Sequence, residues 1–174
     1  MTYIIGIDPG VTGAMAMISP SGKIIDIHDL PTLEHKVGKR TQRTLNAYGL
    51  ARTIAKWSEF TPMMIWVEQS QIRGGSGRAP GATSCFSTGR TFGTIEGIIA
   101  ALGVPVQYVH PRTWKTAHRL VGKTKDDSRT RALEIYPEYI THLARKKDHN
   151  RAEAILIAHY GRVQSQLATP MVAV

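Results

Sequence analysis

The order in which apolar runs and turn residues alternate limits this chain more than any single motif. Tyr3 to Asp8 is a β-branched run stopped by Asp8-Pro9-Gly10, and Ala14 to Ile18 is a second run closed by Ser19-Pro20-Ser21-Gly22. Lys23 to Leu30 then alternates apolar and polar residues. Short runs closed in this way pair as antiparallel hairpins. Ala47, Leu50, Ala51, Ile54 and Ala55 recur at helical spacing, which predicts a helix from about Thr44 to Phe60. Met63 to Val67, ending at Glu68, reads as a parallel strand buried on both faces. A helix over about 84–102, a strand over 104–109 and helices over about 126–136 and 148–164 complete the order. Together these predict an α/β fold: a five-stranded mixed sheet, three antiparallel strands then two parallel, flanked by helices. One domain is expected over 1–165 with a tail over 166–174, and residues 31–42, carrying His35, Lys36, Lys39 and Arg40, are expected to form a basic loop.

Charge narrows the partners. Twenty-two Lys and Arg against thirteen Asp and Glu leave a net charge of +9, which puts a polyanion first. No stretch approaches the roughly 20 apolar residues of a membrane span. Met1 runs into the first strand without a charged leader, so no signal peptide is expected. A single cysteine, Cys85, excludes an internal disulfide and a cysteine zinc site, and fits a cytoplasmic setting. The stretch GGSGRAPGATS lacks the Gly-Lys-Ser/Thr ending of a phosphate-binding P-loop, so no nucleotide cofactor is expected.

The few acids fall in telling places. Asp8 ends the first strand, Glu68 ends the fourth, and Asp148 and Glu153 open the last helix. Ligands of open α/β sheets bind at the carboxyl ends of strands, and neighbouring first and fourth strands would bring Asp8 to Glu68. Carboxylates gathered in a positive field suit hard divalent cations such as Mg²⁺ or Mn²⁺. Two such ions about 4 Å apart activate water and stabilise the leaving oxygen of a phosphodiester. The bland alternative is that strand-end acids are turn residues, as Asp8 before Pro9-Gly10 could be.

These residues carry a resemblance. Ile4-Ile5-Gly6-Ile7-Asp8-Pro9-Gly10 with Thr12-Gly13, then Val67-Glu68-Gln69, then Arg151-Ala152-Glu153-Ala154-Ile155-Leu156-Ile157-Ala158 resemble, in order, the three acidic motifs of RuvC-type Holliday junction resolvases. Pro111-Arg112-Thr113-Trp114-Lys115 and Lys123-Thr124-Lys125-Asp126-Asp127-Ser128-Arg129 look most like phage or prophage members. The resemblance implies an RNase H-like fold, a homodimer in a bacterial cell or phage-infected host, and metal-dependent paired nicking of four-way DNA junctions. It carries Asp8, Glu68 and Glu153 over as metal ligands, for two Mg²⁺ or Mn²⁺ ions per site. The family's fourth ligand falls on Asn150, which has no charge. Asp148 is the expected replacement, an N-cap being its other role, and His149 is a further neighbour on the face of Glu153.

From Gln69 to Ile95 there is no Asp or Glu, so Arg73 and Arg78 are expected to enter the DNA, with Phe86 either core or a base-stacking side chain. Lys115, Lys123 and Lys125 are expected to track phosphates. Trp57, Trp66 and Trp114 read as core. Gly89, Gly93 and Gly97 form one helical stripe, expected against the sheet or a second copy. Two alternatives share the fold: a junction-binding protein with weak cleavage, and a resolvase-like RNase.

Overall fold

β1 (Tyr3–Asp8) runs through the middle of the molecule because it is apolar in both directions. In this computed structural model, which describes residues 2–38, 40–69 and 81–168, Ile5 and Ile7 join one core cluster and Ile4 the other. β2 (Ala14–Ile18) and β3 (Ile24–Asp29) extend the sheet on one side by antiparallel pairing. β6 (Met63–Glu68) and β7 (Val106–Val109) extend it on the other in parallel, giving the order β3-β2-β1-β6-β7. This is the five-stranded mixed sheet that the run order predicts.

Helices cover both faces, as the apolar parallel strands require. α1 (Ala47–Trp57) and α2 (Ala82–Ala101) bury Leu50, Ile54, Trp57, Ile95 and Ile99 with Ile5, Ile7, Ile65 and Val67. On the opposite face α5 (His149–Leu167) buries every residue from Ala152 to Ala158, with α3 (Pro111–Ala117) and α4 (Lys125–Ile135) outside it. Gly6 makes that contact possible. A Cβ there would collide with the α5 backbone at Ala154 and Ala158, so β1 and α5 meet backbone to backbone.

Four local expectations are corrected. Residues 32–45 are no loop but a two-stranded ribbon, β4 (Thr32–Val37) and β5 (Arg40–Leu45). Both its faces meet solvent, so it lacks the burial alternation by which strands are read. α1 begins at Ala47, where the Asn46 side chain accepts from the Gly49 N–H at 3.0 Å, and not near Thr44. α3 is a helix inside the basic stretch, started by His110, whose ring accepts from the Arg112 N–H, and by Pro111 at its first position. The glycine stripe does not pack on the sheet: a Cβ at Gly89, Gly93 or Gly97 would meet nothing within 4 Å. α2 buries Thr91, Ile95 and Ile99 instead, about 200° round the helix from the glycines.

Candidate active site

The three acids converge through backbone placement. β1 and β6 are parallel neighbours with Ile7 opposite Val67, so Asp8 and Glu68 leave the sheet side by side at its carboxyl end. The contact of Gly6 with Ala154 sets the height of α5 on β1 and brings Glu153, one residue earlier, to the same end. The loop after Asp8 is pinned by hydrogen bonds from Gly13 N–H to the Gly10 carbonyl at 2.9 Å and from Leu30 N–H to the Gly13 carbonyl at 2.9 Å.

Each carboxylate has different company. Glu68 accepts from the Trp114 indole N–H at 2.6 Å. Glu153, 8% exposed, accepts from the Ser128 hydroxyl at 3.3 Å and lies 3.5 Å from the Lys115 ammonium, which also sits over the Trp114 ring. The Asp8 side chain has no hydrogen-bond donor among the described residues. Burial first, then the charges of Glu153 and Glu68, push its carboxyl up to about 8, against the pull of Lys125 and Lys115. Burial likewise raises Glu68, with Glu153 adding to it, while the Trp114 hydrogen bond and Lys115 oppose the rise. The positive charge of Lys115 and Lys125 thus falls short of offsetting burial and the mutual repulsion of the carboxylates at Asp8.

Two cavities open on it. One of about 220 Å³ is lined by Asp8, Val11, Glu68, Ser87, Thr88 and Thr91, among others. The other, about 440 Å³, has Glu153 and Ser128 on its wall together with Arg112, Lys115, Lys123 and Lys125. The three lysines singled out in the sequence thus line one cavity beside one of the acids. Arg73 and Arg78 lie outside the described residues. Phe86 is 71% exposed, so it is not core, and its stacking alternative stays open. Trp57 and Trp114 are buried and Trp66 partly so.

The expected fourth ligand is placed elsewhere. Asp148, 3% exposed, closes the 3-10 turn Lys146–Asp148 and accepts from Arg145, from its backbone N–H and its guanidinium, both at 2.8 Å. It lines a third cavity with Thr12, Asp29, Thr32, Arg43 and Asn150, not the two that hold the other acids. Asn150 spends its amide on the Thr12 carbonyl. His149 comes nearer: its Nδ1–H donates to the Lys146 carbonyl at 2.8 Å, which leaves Nε2 to accept from Lys125 at 3.4 Å. Sequence reasoning missed the Trp114 and Ser128 contacts, which join residues 46 and 25 positions apart in the chain.

Asp8, Glu68 and Glu153 fit a hard divalent cation in chemistry: all oxygen donors, with Asp8 half-buried and lacking a hydrogen-bond donor among the described residues. Among the described residues no three His, Cys, Asp or Glu side chains close on one point as they stand. Trp114 and Lys115 engage two of the carboxylates meanwhile.

An RNase H-like sheet with acids at the carboxyl ends of its two central parallel strands and on the helix across them is the class that fold and site define. The chain superposes on Thermus thermophilus RuvC in complex with a Holliday junction substrate with a TM-score of 0.58 and 17% identity, covering 97% of this chain and 98% of that one. A second Thermus thermophilus RuvC structure gives 0.51 and 18% identity over 97% and 98%. In sequence the chain is 34% identical over 119 residues to the chloroplastic Holliday junction resolvase MOC1 of Chlamydomonas reinhardtii, a match that takes 67% of this chain and 13% of that protein. No protein-family model matches. The chain thus has the RuvC fold and is similar in sequence to a Holliday junction resolvase.

Proposed function

We propose that this protein is a metal-dependent endonuclease that resolves four-way DNA junctions by paired, symmetric nicks. The observation that carries the reading is the meeting of Asp8, Glu68 and Glu153 at the sheet's carboxyl end, beside a cavity lined by four cationic side chains. The fold and the sequence likeness support it.

Asp8, Glu68 and Glu153 would hold one or two Mg²⁺ or Mn²⁺ ions, which supply a water activated for attack and a Lewis acid for the leaving oxygen. Trp114 orients the Glu68 carboxylate and Ser128 that of Glu153. Lys115, Lys123, Lys125 and Arg112 draw the phosphodiester toward the acids. A cation held there would replace the proton that burial and its neighbours favour on Asp8. Lys115, 3.5 Å from Glu153, is placed to contact a phosphate oxygen instead. Asp148 serves the architecture, fastening the start of α5 through Arg145, and His149 reaches the cavity through Lys125.

A symmetric junction needs two copies. The outward stripe Gly89, Gly93, Gly97 on α2 is our candidate dimer contact, since small residues let helices approach closely. A second reading has its own support: because Asn150 brings no charge and is tied to Thr12, the protein could bind junctions and cleave them feebly.

The test is cleavage of a labelled four-way junction beside linear duplex and an RNA hairpin, with Mg²⁺, Mn²⁺ or EDTA. Paired nicks in the junction alone, abolished by EDTA, are expected. Tight binding without nicks in either metal would select the second reading, and cleavage of the RNA would replace both.

A further inference from the structure

We propose that Lys115 is a positioning residue that acts through Glu153 and makes cation loading depend on the substrate; this rests on the nuclease reading above. Its ammonium stands in for the cation until a substrate phosphate draws it away. The neighbouring Trp114 is the fixed part of the arrangement. Its ring is fully buried, meets the His118 ring edge-on at 6.2 Å and donates to Glu68 at 2.6 Å. The His118 Nε2–H in turn donates to the Leu156 carbonyl at 2.9 Å, on the helix that carries Glu153. Two consecutive residues of α3 therefore engage two of the three acids.

Lys115 is the part that can move. Its side chain keeps 32% of its surface in solvent and lies 5.0 Å from the centre of the Trp114 ring. Its 3.5 Å to Glu153 Oε1 is longer than a well-formed charge-assisted hydrogen bond, about 2.8 Å. The same oxygen accepts from Ser128 at 3.3 Å, also a long contact. Lys115 thus neutralises Glu153 without being held tightly by it, and it makes no other ion pair among the described residues. An ammonium is a compact charge on a flexible stem, so it changes partner by rotating its last bonds.

The alternative partner arrives through the basic cavity. Arg112, Lys123 and Lys125 share its wall with Lys115, and Glu153 is the one acid there among the described residues. A phosphate drawn in by the first three finds the fourth cation engaged with a carboxylate. Trading Glu153 for that phosphate keeps Lys115 paired and leaves Glu153 an open acceptor for a hard cation. Before the trade, a divalent cation would have to enter against a unit charge a few ångströms away. It would feel that charge more than the proton on Asp8 does, because it carries two charges and not one. Substrate and cation therefore bind with positive coupling, and each raises the affinity of the other by the same factor.

The experiment titrates Mg²⁺ into the DNA-free full chain by calorimetry at about pH 9, above the Asp8 value of about 8. Wild type is compared with K115M, K115R and K123M, with circular dichroism as the control for folding and K115Q in reserve should K115M fail it. K115M keeps the apolar stem over Trp114 and should bind Mg²⁺ about tenfold more tightly, a gain no misfolding produces, while K115R should stay near wild type. K123M removes a cation of the same cavity that has no ion pair with Glu153, and should gain about threefold at most. Junction affinity is then read at fixed ionic strength in EDTA and in Ca²⁺, over times at which no strand is nicked. The cation should raise it about tenfold in wild type and clearly less in K115M. With wild type binding Mg²⁺, no gain in K115M, or a gain matched by K123M or K115R, would overturn the proposal and leave the nuclease reading intact. An equal effect of Ca²⁺ on junction binding by wild type and K115M would overturn it too. A chain that binds no divalent cation, with or without Lys115, would sink both.

Discussion

Asp8 and Asp148 are both carboxylates drawn out of bulk water, and their proton affinities move in opposite directions. Asp8 is pushed up to about 8 because burial and two neighbouring acids act on a group with no donor. Burial is also the largest influence on Asp148 and pushes it up. Hydrogen bonds from the Arg145 side chain and backbone, with the charges of Arg145 and Arg151, outweigh it and hold Asp148 below the usual carboxylate range. A carboxylate given its partners by the fold keeps its charge; one left without them holds its proton. The contrast separates Asp148, which lies against Arg145 and lines another cavity, from the three acids it was expected to join.

The most severe way to break the contrast is to remove the unpaired acid. Asp8→Asn, Glu68→Gln or Glu153→Gln should each lower junction nicking by about 10³-fold or more while leaving junction binding in place. Cleavage by any of them at the wild-type rate would remove that residue from the site. The same Asp8→Asn variant should be more stable than the wild type in EDTA. A carboxyl whose folded value is raised contributes stability below about pH 4 and loses it as pH climbs toward about 8, so the gain grows over that range to about 2–5 kcal/mol. Urea unfolding at pH 5 and pH 8 reads it, and added Mg²⁺ should stabilise the wild type far more than the variant.

Asp148 should respond with the other sign. Arg145→Met strips its partner and should lower stability at neutral pH, and Asp148→Asn in that background should restore part of the loss. Wild-type stability from Asp148 is present above about pH 4 and fades as pH falls through its lowered folded value. Urea midpoints at pH 7 and pH 3 should therefore lie closer together in Arg145→Met.

Smaller effects sharpen the middle ground. Trp114→Phe keeps the packing and deletes the donor to Glu68, and about 1–2 kcal/mol of stability should go with it. Its pH–rate profile should shift to higher pH, since Glu68 loses a contact that opposes its raised value. Asn150→Asp should change stability by less than about 1 kcal/mol. If the added charge reaches the acids, it should tighten Mg²⁺ binding, measured by calorimetry; no change would leave position 150 to its bond with Thr12.

Legibility followed burial. Strands β1, β2 and β6 were readable because an apolar run between turns has few other uses, and their chain order limits the sheet that can form. The β4–β5 ribbon was not, because Glu34, His35 and Lys36 bury nothing and carry no period. Phe86 misled for the converse reason: an aromatic on a helix reads as core, yet it lies in the first turns of α2, ahead of the buried positions Thr91, Ile95 and Ile99. The acids at strand ends were legible singly, and so were the lysines.

The sequence by itself determined the alternation of strands and helices, the cationic surplus, and the positions of Asp8, Glu68 and Glu153 at the ends of elements. It could do so because periodicity and turn chemistry are local. Which carboxylates share a site, and which already have a partner, was decided only by tertiary structure. Asp148 and Asp8 are both aspartates beside a turn, and what separates them is Arg145 on one side and Glu68 and Glu153, brought from 60 and 145 residues away, on the other. Coulomb interactions and desolvation act over a few ångströms of space whatever the separation along the chain, so their outcome is written in the packing of α5 against β1 and β6.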